Sequence, residues 1–267
     1  MKVLVVIAAC NDAASLDRFL PKLSQVVKKR LSKRSRILVI DDGSSDQTYR
    51  VAKKHGCLAL RNSENLGIGM SLRRGYQKAV DGGYDVVATM DADGQHDQNF
   101  LLRMIEQVEN GADIAIASRY HPDSERIEVP LDRDLLNIAV TAQMRVATGW
   151  NVTDPLCGFW VMRRHCFEFA LKHGRQERYG VHLEHLVKFW YLATPRPKLV
   201  EIPHPAIYGN HGTRELLTRE YSPANKETRV DRFGTHALHI IEALDDVKRV
   251  LHGTVDREMS ERRKHTK

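Results

Sequence analysis

VVATMDADGQH, residues 86–96, is an apolar run that ends abruptly in two carboxylates one residue apart. The run predicts a buried strand, which places Asp91 and Asp93 at its carboxyl end, where ligands bind in parallel sheets. Alternate carboxylates followed by the amide oxygen of Gln95 are hard ligands that suit Mg²⁺ or Mn²⁺. A divalent ion there would hold a diphosphate and neutralise its charge as it leaves. An Asp-x-Asp pair alone is more often a solvated turn after a strand, so the interpretation depends on the rest of the chain.

Apolar, β-branched runs alternate with helical patterns through the first 118 residues. Strands are predicted at Val3–Ile7, Ile37–Ile40, Cys57–Leu60, Val86–Met90 and Asp113–Ala117. Helices are predicted from Ser15 to Val27, from Gln47 to His55, from Gly67 to Ala79 and from Asp97 to Glu109. This alternation is typical of an α/β fold with a doubly wound, mostly parallel, Rossmann-like sheet.

Asn or Asp residues follow three of these predicted strands. Asn11 and Asp12 come after the first strand, Asp42 after the second, and Asp91 with Asp93 after the fourth. Because the carboxyl ends of parallel strands meet at one edge of a sheet, we expect these side chains to share one polar cleft.

The alternation changes after Ser118. The patterns predict a polar loop from Arg119 to Pro130, a helix from Asp132 to Thr148, a turn and strand from Asp154 to Met162, a helix from Val181 to Tyr191, a strand from Lys198 to Ile202, a loop from Tyr208 to Thr218, a helix from Val230 to Leu251 and a charged tail from Asp256 to Lys267. The α/β sheet therefore carries a helical C-terminal extension.

Composition narrows the class of protein. A chain of 267 residues with a formal net charge of +7 suits one domain with additions and an anionic partner. Four cysteines without a C-x-x-C pair argue against a zinc site or disulfide framework and favour a reducing cytoplasm. No apolar stretch approaches the roughly 18 residues of a spanning helix, so any membrane contact is expected to be peripheral, at the inner face. The basic runs at 28–36 and 262–264 contain no aromatic residues, which argues against a nucleic-acid-binding function.

Four motifs in order resemble those of the GT-A fold family 2 inverting glycosyltransferases, most of all the dolichol/polyprenyl-phosphate mannose or glucose synthase branch. They are VVIAACND at 5–12, DDGSSD at 41–46, NLG at 65–67 and DADGQH at 91–96. Two later segments extend the resemblance, ASRY at 117–120 and DPLCGF at 154–159. The resemblance covers about residues 3–205 and implies a metal-dependent transfer of a hexose from a nucleoside-diphosphate sugar.

The resemblance implies a role for particular positions. Residues at the nucleotide-sugar would be Ala8, Asn11, Asp12, Asp42, Gly67, Asp91 and Ala92. Asp91, Asp93 and Gln95 would bind Mg²⁺ or Mn²⁺, and Arg119 and Arg133 would hold an acceptor phosphate, which suits the planar guanidinium. Asp154 and Glu184 are the candidate catalytic residues, needed as a base only if the acceptor is a sugar hydroxyl rather than an ionised phosphate.

Each position also has a purely structural interpretation. Asp42 could cap the following helix, Arg119 could be a surface arginine, and Asp154 could belong to a plain turn. Arg133 could start a solvated helix, and Glu184 could lie on an exposed helix face. Departures from the family pattern bear on these roles. The family usually has Pro in place of Ala8, Glu in place of Asp12 and Ser or Thr in place of Cys157, and its Gly-x-Ser-Lys loop is only partly matched at 212–214.

The expected organisation follows from the resemblance. A GT-A domain is expected at 1–205, with a nucleotide-sugar half at 1–118 and an acceptor half at 119–205, and 206–267 as a C-terminal loop, helix and charged tail. The expected partners are a GDP- or UDP-linked sugar and a polyprenyl phosphate at the membrane, and a homo-oligomer is compatible with the sequence. The alternatives are transfer to a saccharide hydroxyl or a non-catalytic nucleotide-sugar-binding protein. A nucleotidyltransferase would need a glycine-rich, lysine-bearing loop after the first strand, which residues 8–14 do not supply.

Overall fold

The computed structural model describes residues 1–208 and 235–252, which form a seven-stranded sheet, a two-stranded ribbon and helices packed around them. The strands are β1 Val3–Ala9, β2 Arg36–Asp41, β3 Leu58–Arg61, β4 Val86–Asp91, β5 Ile114–Ser118, β6 Arg126–Ile127, β7 Trp160–Arg163, β8 Leu199–Pro203 and β9 Ala206–Ile207. The helices are α1 Ala13–Arg30, α2 Thr48–Lys54, α3 Ile68–Asp81, α4 Phe100–Glu109, α5 Leu131–Thr148, α6 Arg164–His173, α7 Val181–Leu192 and α8 at 235–252.

The large sheet has the order β3-β2-β1-β4-β7-β5-β8. Strands β1 to β4 pair in parallel, as do β5 and β8, so the predicted mostly parallel α/β fold is confirmed. All five strands predicted before Ser118 are present. Strands β1, β2, β4 and β5 are buried apolar runs of the kind that sequence patterns identify best, whereas β3 is short and only partly buried. In the register, Ala8 lies beside both Ile40 and Asp91, so the carboxyl ends of these strands are level.

Strand β7 lies antiparallel between β4 and β5, a direction that the sequence pattern does not predict. Because it runs the opposite way, its first residue, and not its last, lies at the edge where β4 and β5 end. The Thr89 hydroxyl donates a hydrogen bond to the Gly158 carbonyl at 2.7 Å, and the Ala117 amide donates to the Phe159 carbonyl at 3.0 Å. The turn before β7 is thereby brought to the carboxyl edge of the sheet.

Several bounds differ from the predicted ones. Helix α4 begins at Phe100 rather than Asp97, because the Asp97 carboxylate accepts a hydrogen bond from the Asn99 amide at 2.9 Å and closes a turn first. Helix α6 and the short strands β6 and β9 are not predicted from the sequence. The last predicted helix is present at 235–252, whereas most of the predicted loop to Thr218 and the charged tail lie outside the described residues.

One continuous core joins these elements. It includes the strand interiors and the apolar faces of the helices, and it extends to Ile240, Ala243 and Val247 of α8. Helix α8 is therefore packed against the sheet domain through the same core. In the part of the chain that the structure describes, no helix combines the length and the apolar character needed to cross a membrane.

Candidate functional site

The loops that follow β1 and β2 are joined by hydrogen bonds into one surface. The side-chain oxygen of Asn11 accepts from the amides of Ser45, at 2.9 Å, and Asp46, at 3.3 Å. The Asp12 carboxylate accepts from the Cys10 amide at 2.8 Å. Asn11 and Asp12 are therefore held at the carboxyl edge of the sheet, as predicted for strand ends.

Asp42 is buried and organises the loop that leads into α3. Its carboxylate accepts hydrogen bonds from the Leu66 amide at 3.0 Å, the Gly67 amide at 2.8 Å and the Asn62 side chain at 2.5 Å. Gly67 has φ of +94°, a left-handed conformation that glycine adopts without strain. Asp42 and Gly67, both predicted to lie at the nucleotide-sugar, are thus in direct contact, and Asp42 does not cap the helix that follows it in the chain.

Asp91 ends β4 beside Ala8, and its side chain is partly exposed to solvent. On its other side lies the backbone of Gly158, at the turn before β7, and a Cβ at this position would clash with the Asp91 carboxylate. The following Ala92 is buried. A larger residue at position 158 would displace the Asp91 carboxylate, so this turn forms one wall of the space around Asp91.

Asp93 is held by the turn that it starts and by α1. Its carboxylate accepts from the Gln95 amide at 2.8 Å, and its carbonyl accepts from the Ser15 hydroxyl at 2.8 Å. Among residues 1–208 and 235–252, no three or more His, Cys, Asp and Glu side chains are grouped as a protein-only metal site. Two carboxylates and an amide at a strand end nevertheless fit Mg²⁺ or Mn²⁺, because such ions commonly take one or two carboxylates and complete their shell with phosphates and water.

Two histidines support the loop at 91–97, and the sequence-based prediction assigned neither of them to the site. His96 accepts the Asp91 amide on Nδ1 at 3.2 Å, so its proton is on Nε2, 3.5 Å from the Asp91 carboxylate. His204, at the end of β8, accepts the Asp97 amide on Nε2 at 3.1 Å. Burial lowers the pKa of each to about 4, so both are neutral near pH 7. His96 could have been found from its place in the motif, whereas nothing near His204 in the sequence indicates this contact.

Arg119 and Asp154, 35 residues apart in the chain, form a buried bidentate ion pair. Two N–H groups of the guanidinium donate to the carboxylate at 2.8 and 3.0 Å, and the Arg119 amide donates to it at 3.0 Å. Burial works against the charged guanidinium, but Asp154 raises the pKa of Arg119 above its ordinary value. The predicted acceptor residue and the predicted catalytic residue are therefore one unit, and Arg119 is not an ordinary surface arginine.

Glu201 on β8 fixes the turn that carries Asp154. Its carboxylate accepts from the Thr153 amide and hydroxyl, each at 2.9 Å, and from the Asp154 amide at 3.1 Å. Burial raises the pKa of Glu201, which these hydrogen bonds oppose. Sequence patterns placed Glu201 in a strand but gave no sign of this role.

The Tyr208 phenol is buried, and the charges of several predicted side chains act on it. Burial raises the pKa of its phenol, the charges of Arg119 and Arg133 act against this rise, and those of Asp154 and Asp93 add to it. All four side chains therefore lie close enough to Tyr208 to act on it electrostatically. Arg133 belongs to the first turn of α5, where its amide donates to the Pro130 carbonyl at 2.9 Å.

Glu184 does not lie on an exposed helix face, because its side chain is 2% exposed. Its carboxylate accepts from the amides of Arg175 and Gln176 at 2.9 Å and from the Lys188 ammonium at 2.7 Å. With both oxygens engaged in this way, Glu184 is suited to holding the 174–180 loop rather than to acting as the predicted base.

Comparisons with known proteins agree with this arrangement. A family model described as Glycosyl transferase family 2 matches residues 4–169. An undecaprenyl-phosphate mannosyltransferase of Micrococcus luteus is 32% identical over 168 residues, which are 61% of this chain and 67% of that protein. A dolichol-phosphate mannosyltransferase of Pyrococcus furiosus is 29% identical over 174 residues, 63% of this chain and 48% of that protein. The chain thus spans about two thirds of the first relative and about half of the second.

Solved structures share the fold at low sequence identity. A mannosyl-3-phosphoglycerate synthase from Rubrobacter xylanophilus has a TM-score of 0.65 at 16% identity, over 95% of this chain and 75% of that one. A glucosyl-3-phosphoglycerate synthase from Mycobacterium tuberculosis was solved with Mn²⁺, UDP-glucose and phosphoglyceric acid. It has a TM-score of 0.63 at 17% identity, over 92% of this chain and 80% of that one. The shared architecture is the GT-A fold.

Proposed function

This chain belongs to glycosyl transferase family 2 and is a glycosyltransferase, and from this premise we propose that it moves a hexose from a nucleoside-diphosphate sugar to a polyprenyl phosphate with inversion. The observation that carries the proposal is that the Asp91–Asp93 turn, after β4, and the Arg119–Asp154 pair, which joins the end of β5 to the turn before β7, lie at the same edge of the sheet. An acidic pair that suits a metal diphosphate beside a basic group that suits a phosphate is the arrangement that such a transfer needs.

The donor is proposed to lie over the ends of β1, β2 and β4. Asn11, Asp12, Asp42 and Gly67 would form the nucleoside side, and Ala8 with Ala92 would line the path to the diphosphate. Asp42 would act by fixing the Leu66 and Gly67 backbone, because its carboxylate is already engaged by these amides.

Asp91, Asp93 and Gln95 would hold Mg²⁺ or Mn²⁺ in this proposal. When bound, the ion supplies charge stabilisation to the departing diphosphate. His96 and His204, both neutral near pH 7, keep the turn in place without adding positive charge beside the ion. The side chains of this turn are thereby set at the strand end before the donor arrives.

The acceptor is proposed to bind beside Arg119 and Arg133, in reach of Tyr208. A phosphate oxygen would form the bond to the anomeric carbon as the bond from that carbon to the diphosphate oxygen breaks. An ionised phosphate needs no base, which agrees with an Asp154 carboxylate that accepts three hydrogen bonds from Arg119. Asp154 would therefore orient Arg119, and with it the acceptor, near the reacting carbon.

A donor and acceptor screen tests this function. GDP-mannose, UDP-glucose and UDP-GlcNAc would each be incubated with the protein and Mn²⁺ or Mg²⁺, with and without a short polyprenyl phosphate. We expect metal-dependent release of nucleoside diphosphate from one donor, and faster release when the lipid phosphate is added. Release stimulated only by a saccharide would move the base role to Asp154. Nucleotide binding without release from any donor would contradict the proposal and favour the non-catalytic alternative.

Peripheral membrane contact through α5 is the second part of the proposal. Leu131, Leu135, Ile138 and Val146 are each at least 50% exposed and recur on one side of this helix. An exposed apolar stripe on a chain with net charge +7 suits the surface of an anionic bilayer. The same surface would bring the acceptor phosphate to Arg133 on the first turn of α5.

Replacement of Ile138 by glutamate is expected to weaken binding to vesicles that contain anionic lipid by about tenfold, since it places a charge in the stripe. Co-sedimentation with phosphatidylglycerol vesicles measures this change. Ile241→Glu is the matched control, because Ile241 is a similarly exposed isoleucine on α8. Equal binding by the Ile138 variant and the natural chain would remove α5 from the proposal.

A further inference from the structure

The 174–180 loop packs against the first turn of α3, beside the proposed nucleoside site. The Glu177 carbonyl accepts from the amides of Gly69, at 2.7 Å, and Met70, at 3.2 Å. A Cβ at Gly67 or Gly69 would clash with the backbone of this loop. Since Gly67 is also held by Asp42, any movement of the loop would reach the residues proposed to contact the nucleoside.

A buried charge network holds the same loop from behind. Glu184 accepts from the Arg175 and Gln176 amides, and Lys188 donates to Glu184 at 2.7 Å and to the His173 carbonyl at 2.9 Å. Lys188 is 3% exposed, so its ammonium depends on acceptors within the protein. The third acceptor is the Asp246 carboxylate of α8, at 2.9 Å.

Helix α8 makes further contacts with the loop. The Gln176 side chain donates to the Glu242 carboxylate at 2.7 Å, and Gly180 lies so close to His239 that a Cβ would clash with its ring. Ile240, Ala243 and Val247 anchor the helix in the core. The loop is thus held between α3 on one side and α8 on the other.

We infer that α8 is a positioning element for the donor site, which acts through Asp246, Lys188 and Glu184 to hold the 174–180 loop against the start of α3. The inference rests on the proposed function only in taking the Asp42–Gly67 region as the nucleoside site. It gives the C-terminal helix a role in the affinity for the nucleoside diphosphate and gives Glu184 and Lys188 a positioning role in place of catalysis.

Asp246→Ala in the full chain tests the inference. It removes one of the three acceptors of Lys188, and we expect the Kd for UDP or GDP with Mn²⁺ to rise by about tenfold, with the KM for the donor rising more than kcat falls. Asp246→Asn keeps one acceptor oxygen and is expected to recover part of this loss. Asp245→Ala is the matched control, because Asp245 is the exposed neighbour on the same helix, paired only with the exposed Lys248 among the ion pairs of the described residues.

Hydrogen exchange separates this inference from the proposed function. In Asp246→Ala the amides of Gly69 and Met70 are expected to exchange about tenfold faster, whether or not the protein transfers a sugar. Glu242→Ala, which leaves all three acceptors of Lys188 in place, is expected to give a smaller change of the same sign and serves if Asp246→Ala does not fold. Faster exchange confined to 235–252, with unchanged nucleotide Kd, would overturn the inference.

Discussion

Replacement of Asp93 by alanine or asparagine is expected to lower kcat/KM for sugar transfer by about a thousandfold, with little change in the free energy of unfolding. Asp93 is proposed to supply one of two carboxylates to the metal diphosphate, and loss of its charge weakens the stabilisation of the leaving group. In the natural chain the Gln95 amide donates to the Asp93 carboxylate at 2.8 Å. The asparagine variant keeps an oxygen that can accept this hydrogen bond, so the turn at 93–95 should persist. Steady-state transfer at several Mn²⁺ concentrations measures the effect.

Asp97→Asn is the matched control for this experiment. Asp97 is four residues further on in the same loop, and its carboxylate accepts the Asn99 amide at 2.9 Å in the same kind of turn. We expect near-normal transfer in this variant, because Asp97 is not among the proposed metal ligands. Full activity of Asp93→Asn, or an equal loss in both variants, would contradict the assignment of the metal to Asp93.

Replacement of Arg119 by methionine is expected to lower the free energy of unfolding by about 3–5 kcal/mol and to abolish transfer. The Asp154 side chain is 0% exposed, and without the guanidinium its charge would be buried and uncompensated. Urea denaturation, together with the transfer assay, measures both effects. Arg126→Met is the control, since Arg126 is a half-exposed arginine whose contact with Asp134, at 3.8 Å, should contribute little to stability.

The double variant Arg119→Met/Asp154→Leu separates stability from chemistry. Removing both charges together is expected to restore much of the lost stability, because no buried charge is then left unpaired. Transfer should remain absent, because the acceptor phosphate would have lost Arg119. Recovery of transfer in the double variant would exclude the pair from the reaction, and unchanged stability of Arg119→Met would contradict the importance of the ion pair for the fold.

The sequence alone determined the strands of the first 118 residues and the acids that follow three of them. A buried parallel strand is a local apolar run, and all carboxyl ends of such strands point the same way, so the shared edge follows from the pattern itself. Asn11, Asp12, Asp42, Asp91 and Asp93 therefore appear where the sequence predicts them. Each of the four motifs that resemble the family is also a short, continuous segment of the chain, and the family is confirmed.

The partners of these residues were decided only by the tertiary structure. Arg119 meets Asp154 because β7 inserts antiparallel between β4 and β5, and no pattern within either segment records that direction. His204 accepts the amide of Asp97, 107 residues earlier in the chain, and Asp246 accepts from Lys188, 58 residues earlier. Both contacts depend on how β8 and α8 pack in the fold. Local periodicity in the sequence determines which residues face the core. Which two buried charges meet depends on how distant helices and strands pack against each other. Because an unpaired buried charge costs several kcal/mol, pairs such as Arg119–Asp154 are essential to the site.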